Sequence, residues 1–168
     1  MKTCYVMVGL PASGKSTFIE EMCKMDPNAY VYSTDNIIED AAKRLGKTYD
    51  QVWKKHIKGA QAEADIWLDE ATKNDLNIIW DQTNLSVKKR RGIIDKMVRK
   101  NYQIECIAFR MPESVDDITE WNRRLHSRKG KSIPDFVIQN MVKTYVEPTL
   151  DEGFDRVTIM DIYGKVVQ

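Results

Sequence analysis

A chain of 168 residues has the length of one domain, enough to bury a substantial core but too short for a catalytic domain joined to an independent second one. With 42% hydrophobic and 30% charged residues, and only 8 Gly and 5 Pro, the composition excludes a disordered, collagen-like or linker-dominated chain. The net charge of +1 gives no reason by itself to expect nucleic acid, yet residues 86–131 hold 13 basic against 6 acidic side chains, so a basic third of the chain faces an acidic remainder.

In chain order, Thr3 to Val8 reads as a near-continuous apolar strand, followed by a glycine loop from Gly9 to Gly14 and a helix with Phe18, Ile19 and Met22 on one face. Tyr30 to Tyr32 is a short second strand. Ile37, Ile38, Ala41, Ala42 and Leu45 begin a helix that stops near Gly46. From about Asp50 to Thr72, Trp53, Ile57, Ala60, Ala64, Trp67, Leu68 and Ala71 recur three or four apart, which predicts one long amphipathic helix with Trp53 and Trp67 in the core. Ile78 to Trp80 is a buried strand ending at Asp81. Ser86 suits the N-cap of a helix with Ile93, Ile94, Met97 and Val98 inward and Lys88, Lys89, Arg91, Lys96, Arg99 and Lys100 outward.

Ile104 to Phe109 forms the next strand, and Val115, Ile118, Trp121 and Leu125 mark another helix. After the cationic stretch Arg123 to Lys131, Pro134 opens a helix with Val137, Ile138, Met141 and Tyr145, and Val157 to Ile162 makes a last strand. The alternation implies an α/β fold with a mostly parallel sheet of about five strands. Cys4, Cys23 and Cys106 are odd in number, far apart and set among apolar residues, so they are expected to be reduced core thiols. Gly9, Ser13 and Gly14 interrupt the apolar run after the N-terminus, which predicts no signal peptide, and no stretch is apolar enough to span a membrane. A cytoplasmic location is expected.

Gly9-Leu10-Pro11-Ala12-Ser13-Gly14-Lys15-Ser16 fits G-x-x-x-x-G-K-[ST], directly after a strand and before a helix. Such a loop turns its backbone N–H groups around a phosphate, with Lys15 reaching the β- and γ-oxygens and Ser16 offering its hydroxyl to Mg²⁺. Thr17 is either a helix-start residue or a further phosphate contact. Phosphate transfer also needs a base and added positive charge. Asp35 follows the second strand, where the carboxyl ends of a parallel sheet line a crevice; it is a candidate base, or a helix cap. Asp81 ends the third strand in Trp80-Asp81-Gln82-Thr83-Asn84 and could hold Mg²⁺ through water, or cap the strand as a turn residue. Thr83 and Asn84 either fix that loop or touch the acceptor. Arg124 and Arg128, four apart, share a face if the helix extends that far; they are either phosphate contacts or surface ion-pair residues.

These separated motifs together resemble the P-loop polynucleotide 5′-hydroxyl kinases: Gly9 to Thr17, Asp35 after the second strand, the D-x-T-N pattern of Asp81-Gln82-Thr83-Asn84, and Arg124 and Arg128 before Ile133-Pro134. Glu147-Pro148-Thr149-Leu150 through Gly153-Phe154 resembles the closing segment of eukaryotic members. The resemblance implies a P-loop NTPase three-layer sandwich spanning residues 1–168, with helices on both faces of the sheet and a lid near residues 123–133. It implies ATP- and Mg²⁺-dependent phosphorylation of DNA or RNA 5′-OH ends.

On the same resemblance, Asp35 is the general base, and Lys15 and Ser16 serve ATP and metal within a donor loop of Gly9, Pro11, Ala12, Ser13, Gly14 and Thr17. Arg128 contacts the donor phosphates with Arg124 in the same lid cluster, and Asp81, Thr83 and Asn84 lie on the acceptor side. Lys88, Lys89, Arg90 and Arg91 follow that loop and could track a strand's backbone. Ile38 stands where the bacteriophage enzymes carry an acceptor-binding arginine, and Asp116-Asp117-Ile118-Thr119 does not fit a phosphatase motif, so no 3′-phosphatase is expected. The competing readings are a small-molecule or nucleoside/nucleotide kinase of similar layout and a non-catalytic nucleotide-binding regulatory module.

Overall fold

The computed structural model describes residues 1–168. Five strands, β1 (Thr3–Val8), β2 (Tyr30–Tyr32), β3 (Ile78–Trp80), β4 (Gln103–Phe109) and β5 (Arg156–Met160), form one sheet in the order β2-β3-β1-β4-β5. Every pair is parallel. Burial on both faces explains the apolar runs Cys4 to Val8 in β1 and Cys106 to Phe109 in β4, because a parallel sheet covered by helices on both faces leaves its inner strands no wet side.

Helix α1 (Lys15–Met25) covers one face, where Phe18, Ile19 and Met22 meet Met7, Ile79, Ile107, Phe109 and Met160. On the opposite face, α3 (Tyr49–Lys73) brings Ala64, Leu68 and Ala71, and α4 (Val87–Val98) brings Ile93, Ile94 and Met97, onto Cys4, Val6, Trp80, Ile104 and Cys106. Tyr32 stacks on Trp80 with ring centroids 4.0 Å apart. Helix α2 (Thr34–Leu45) packs Ile38 and Ala42 against Val52 and Ala60 of α3. Helices α5 (Val115–His126) and α6 (Asp135–Thr144) close over the carboxyl end of the sheet, with Trp121, Ile138 and Met141 around Leu10, Leu85 and Ile162.

Local signals set the helix ends. The Ser33, Thr48, Ser86 and Ser114 hydroxyls each accept the backbone N–H of the residue three positions on, in the helices they cap. Gly46 ends α2 at φ 63°, a left-handed turn that glycine adopts without strain.

Five expectations need correction. Val98 is exposed, and the buried face of α4 is Arg90, Ile93, Ile94 and Met97. Trp53 and Trp67 are 44% and 55% exposed; they lie on the shoulder of the apolar stripe of α3, beyond the reach of α2 and the sheet. Helix α5 stops at His126 with Ser127 as its C-cap, so Arg124 is helical, Arg128 lies in the following segment and the two share no helix face. The last strand ends at Met160 rather than Ile162. The thiols are all free, but Cys23 is only half-buried, unlike Cys4 and Cys106. No helix is long and apolar enough to cross a membrane.

Candidate active site

The loop between β1 and α1 is shaped for an anion. Ala12 and Gly14 take positive φ values of 62° and 108°, which turns successive N–H groups toward one side. A Cβ on Gly9 would sit 2.7 Å from Ser13 Oγ, and one on Gly14 would sit 3.3 Å from the Phe109 ring, so the loop closes only around glycine. Helix α1 begins at Lys15 with no side-chain cap and no acidic residue in its first turn, leaving its leading N–H groups and positive dipole end for a ligand. The buried Ser13 Oγ has no hydrogen-bond partner. These features fit a phosphate chain, with the exposed Ser16 at the helix start able to offer its hydroxyl to a metal.

Lys15 Nζ donates to the carbonyls of Gly9 at 2.8 Å and Leu10 at 3.1 Å. Burial lowers its pKa to about 8, partly opposed by the charge of Asp81. The backbone N–H of Gly9 donates to the Thr83 carbonyl at 3.0 Å, which fastens the P-loop to the loop after β3. Sequence reasoning missed one residue here. Trp121 of α5 donates its indole N–H to the Pro11 carbonyl at 2.7 Å, although its helical phase alone marked it simply as core.

Two carboxylates face this loop. Burial raises the pKa of Asp81, against the opposing influence of Lys15 and a hydrogen bond from the Ser33 hydroxyl. Asp35 sits in the first turn of α2, half-exposed, and its charge reaches both Lys15 and Asp81. Its Oδ1 accepts from the Tyr49 hydroxyl at 2.6 Å and its Oδ2 from Lys131 Nζ at 3.1 Å. No three His, Cys, Asp or Glu side chains gather into a metal cluster, so a cation here would depend on Ser16, Asp81 and phosphate oxygens.

The remaining candidates separate. Asn84, at φ 49°, is buried and its amide donates to the Met7 carbonyl at 2.7 Å, which ties the loop after β3 to β1. Thr83 is half-buried, with its carbonyl on Gly9. Arg124 donates to Glu120 Oε1 at 2.7 Å and to the Ile162 carbonyl at 2.9 Å. Arg128, in the segment 127–134 between α5 and α6, places its charge close enough to lower the pKa of Lys15. Lys88 and Lys89 are exposed on the first turn of α4. They line a groove of about 480 Å³ with Lys96, Gln61 and Trp80.

Arg90 is a correction to the basic track. It is fully buried, bound through Nε and Nη2 to Glu152 at 2.7 Å each, and it donates to the Asn84 and Leu85 carbonyls. Ile38 is likewise fully buried, against α3, so that position faces the core rather than an acceptor.

A five-stranded parallel sheet in this order, with a P-loop after its central strand and two carboxylates at its carboxyl edge, defines a P-loop kinase-like fold. Residues 5–148 match the AAA domain family (AAA_33), and the chain belongs to it. A bifunctional polynucleotide phosphatase/kinase of Schizosaccharomyces pombe is 26% identical over 152 residues, covering 90% of this chain and 32% of that protein. An L-seryl-tRNA(Sec) kinase of Methanococcus maripaludis is 26% identical over 151 residues, covering 89% of this chain and 55% of that one. The chain thus spans about a third and about half of these relatives. A fungal RNA kinase structure superposes with a TM-score of 0.61 at 16% identity, covering 96% of this chain and 74% of that one.

Proposed function

We propose that the protein is an ATP-dependent kinase that transfers the γ-phosphoryl group to the 5′-OH end of DNA or RNA. The observation that carries this reading is the position of Asp35, in the first turn of α2 just past the carboxyl end of β2, with its charge acting on Lys15. A nucleotide-binding regulatory module has no need of a carboxylate there; a kinase needs one to receive the acceptor's proton. The exposed Lys88 and Lys89 beside the groove, and relatives that include a polynucleotide phosphatase/kinase, favour a strand end as the acceptor.

In this reaction the 5′ oxygen forms a bond to the γ-phosphorus while the β–γ bridging bond breaks, and Asp35 takes the hydroxyl proton as ADP leaves. Lys15 and Arg128 balance negative charge on the transferring group. Ser16 and Asp81 would hold a Mg²⁺ ion, which would supply further positive charge to the phosphate oxygens. The P-loop amides orient the donor, and Trp121 holds the Pro11 carbonyl so that the loop keeps its shape.

A second reading, a kinase of nucleosides, nucleotides or small molecules, draws on the identity of residue 38: it is isoleucine, not an acceptor-binding arginine, and packs into the core. Incubation with γ-labelled ATP, Mg²⁺ and 5′-OH oligonucleotides, beside nucleosides and small alcohols, separates the two. Label on DNA or RNA ends is expected; label only on small acceptors sinks the strand-end reading. Asp35→Asn is expected to abolish transfer while sparing ATP binding, and Arg128→Ala to slow it about 10³-fold by analogy with arginine fingers.

A further inference from the structure

Asp35 is gripped from two sides by elements far apart in the chain. Tyr49, at the start of α3, donates to Oδ1, and Lys131, 96 residues beyond Asp35, donates to Oδ2. A carboxylate accepts about four hydrogen bonds, so each oxygen keeps a free lone pair while its plane is fixed. Burial and the hydrogen bond to Asp35 hold the Tyr49 hydroxyl protonated, and therefore a donor.

Lys131 is not a dangling surface lysine. Its side chain is 15% exposed. It also pairs with Glu39 at 2.7 Å and lies 4.4 Å from the centre of the Tyr49 ring, a cation–π distance. The backbone that carries it is seated on the start of α3. The Asp50 N–H donates to the Gly130 carbonyl at 3.1 Å, and Asp50 Oδ2 accepts from the Ser132 N–H at 2.9 Å and its hydroxyl at 3.0 Å. Gly130, at φ 68°, approaches so closely that a Cβ would lie 3.0 Å from Thr48 Cβ.

We propose that Tyr49 and Lys131 are positioning residues for Asp35, and that Lys131 makes the orientation of the base depend on the seating of the segment 127–134. The proposal rests on the reading of Asp35 as the base. Without Lys131, the carboxylates of Asp35 and Glu39 lose the cation they share, and Asp35 turns away from the acceptor's hydroxyl. Tyr49 acts from α3 and does not hydrogen-bond to the segment's backbone, and Tyr49→Phe removes its hydroxyl contact with Asp35 while keeping the ring beneath Lys131.

The experiment measures kcat and KM for ATP on a 5′-OH oligonucleotide with the full chain and its Tyr49→Phe, Lys131→Met, Lys131→Arg, Asp50→Ala and Asp35→Asn variants. Tyr49→Phe and Lys131→Met are expected to lower kcat about tenfold with KM for ATP changed less than twofold. Lys131→Arg is expected to retain most of the rate. Asp50→Ala, which loosens the segment without touching Asp35, should cost less than Lys131→Met. If Asp35→Asn is inactive while Tyr49→Phe and Lys131→Met keep kcat within twofold of the unaltered chain, the positioning proposal is wrong and the base reading stands. Retained turnover in Asp35→Asn, or no transfer by the unaltered chain, removes the base reading itself and the proposal with it. A rise in KM for ATP with unchanged kcat in Lys131→Met assigns that residue to the donor and also overturns the proposal. Should Lys131→Met fail to fold, Tyr49→Phe and Lys131→Arg decide.

Discussion

Arg90 offers the sharpest test of the packing, because its sequence neighbours suggest surface and its surroundings say core. Arg90→Ala leaves the buried Glu152 without its cation and strips the donor from the Asn84 and Leu85 carbonyls. Removing one partner of a buried ion pair costs about 3–5 kcal/mol. At about 3 °C per kcal/mol for a chain of this length, the melting temperature should fall by roughly 9–15 °C. The double variant Arg90→Met with Glu152→Gln removes both charges and should recover more than half of the loss, since most of the cost is the stranded carboxylate. Thermal melts followed by circular dichroism measure both. A melt within about 3 °C of the unaltered chain, with a shallower salt dependence of strand binding, would refute the reasoning and return Arg90 to the surface.

Three further outcomes follow from the site. Lys15 is held at about 8 against 10.5 when unfolded, so between these values the folded chain binds fewer protons and its stability rises with pH; any melting advantage of Lys15→Met should shrink from pH 8 to 10.5, and a flat difference argues against a buried cation. Because burial raises the pKa of Asp81, its charged form opposes folding at neutral pH, and Asp81→Asn should melt no lower than the unaltered chain while losing metal-dependent transfer; a drop of several degrees counts against this. Gly130→Ala combines a left-handed φ of 68° with a Cβ 3.0 Å from Thr48, a strain of about 1–2 kcal/mol, so hydrogen exchange across residues 127–134 should speed up about 5–30-fold while α3 keeps its protection.

Most of the architecture was legible in the sequence because the inner strands of a parallel sheet are apolar on both faces and four of the six helices, α2 to α5, carry a Ser or Thr cap. The P-loop was legible for a related reason, since its glycines answer a local steric demand. Arg90 carried a signal that its basic neighbours hid: it lies three and four residues before Ile93 and Ile94, hence on the buried face of α4. Its partner Glu152, 62 residues away, had no local signature. The same holds for Lys131 and Asp35, which only the tertiary fold brings together. Trp53 and Trp67 misled because helical periodicity reports the width of an apolar stripe and not how much of it a neighbour covers. Ile38, met first as a departure from a family pattern, is explained by the packing of α2 on α3.

The Trp121 to Pro11 hydrogen bond has a mechanical consequence. With Arg124 also tied to the Ile162 carbonyl, α5 is bonded both to the P-loop and to the segment after β5, and α6 packs on the same cluster through Ile138 and Met141. Motion at the root of α5 would have to break these contacts, whereas the eight residues 127–134 form a connection of at most roughly 28 Å between α5 and α6. Arg128 and Lys131 belong to that segment and would move with it, whereas Arg124 belongs to α5 and is tied to the Ile162 carbonyl.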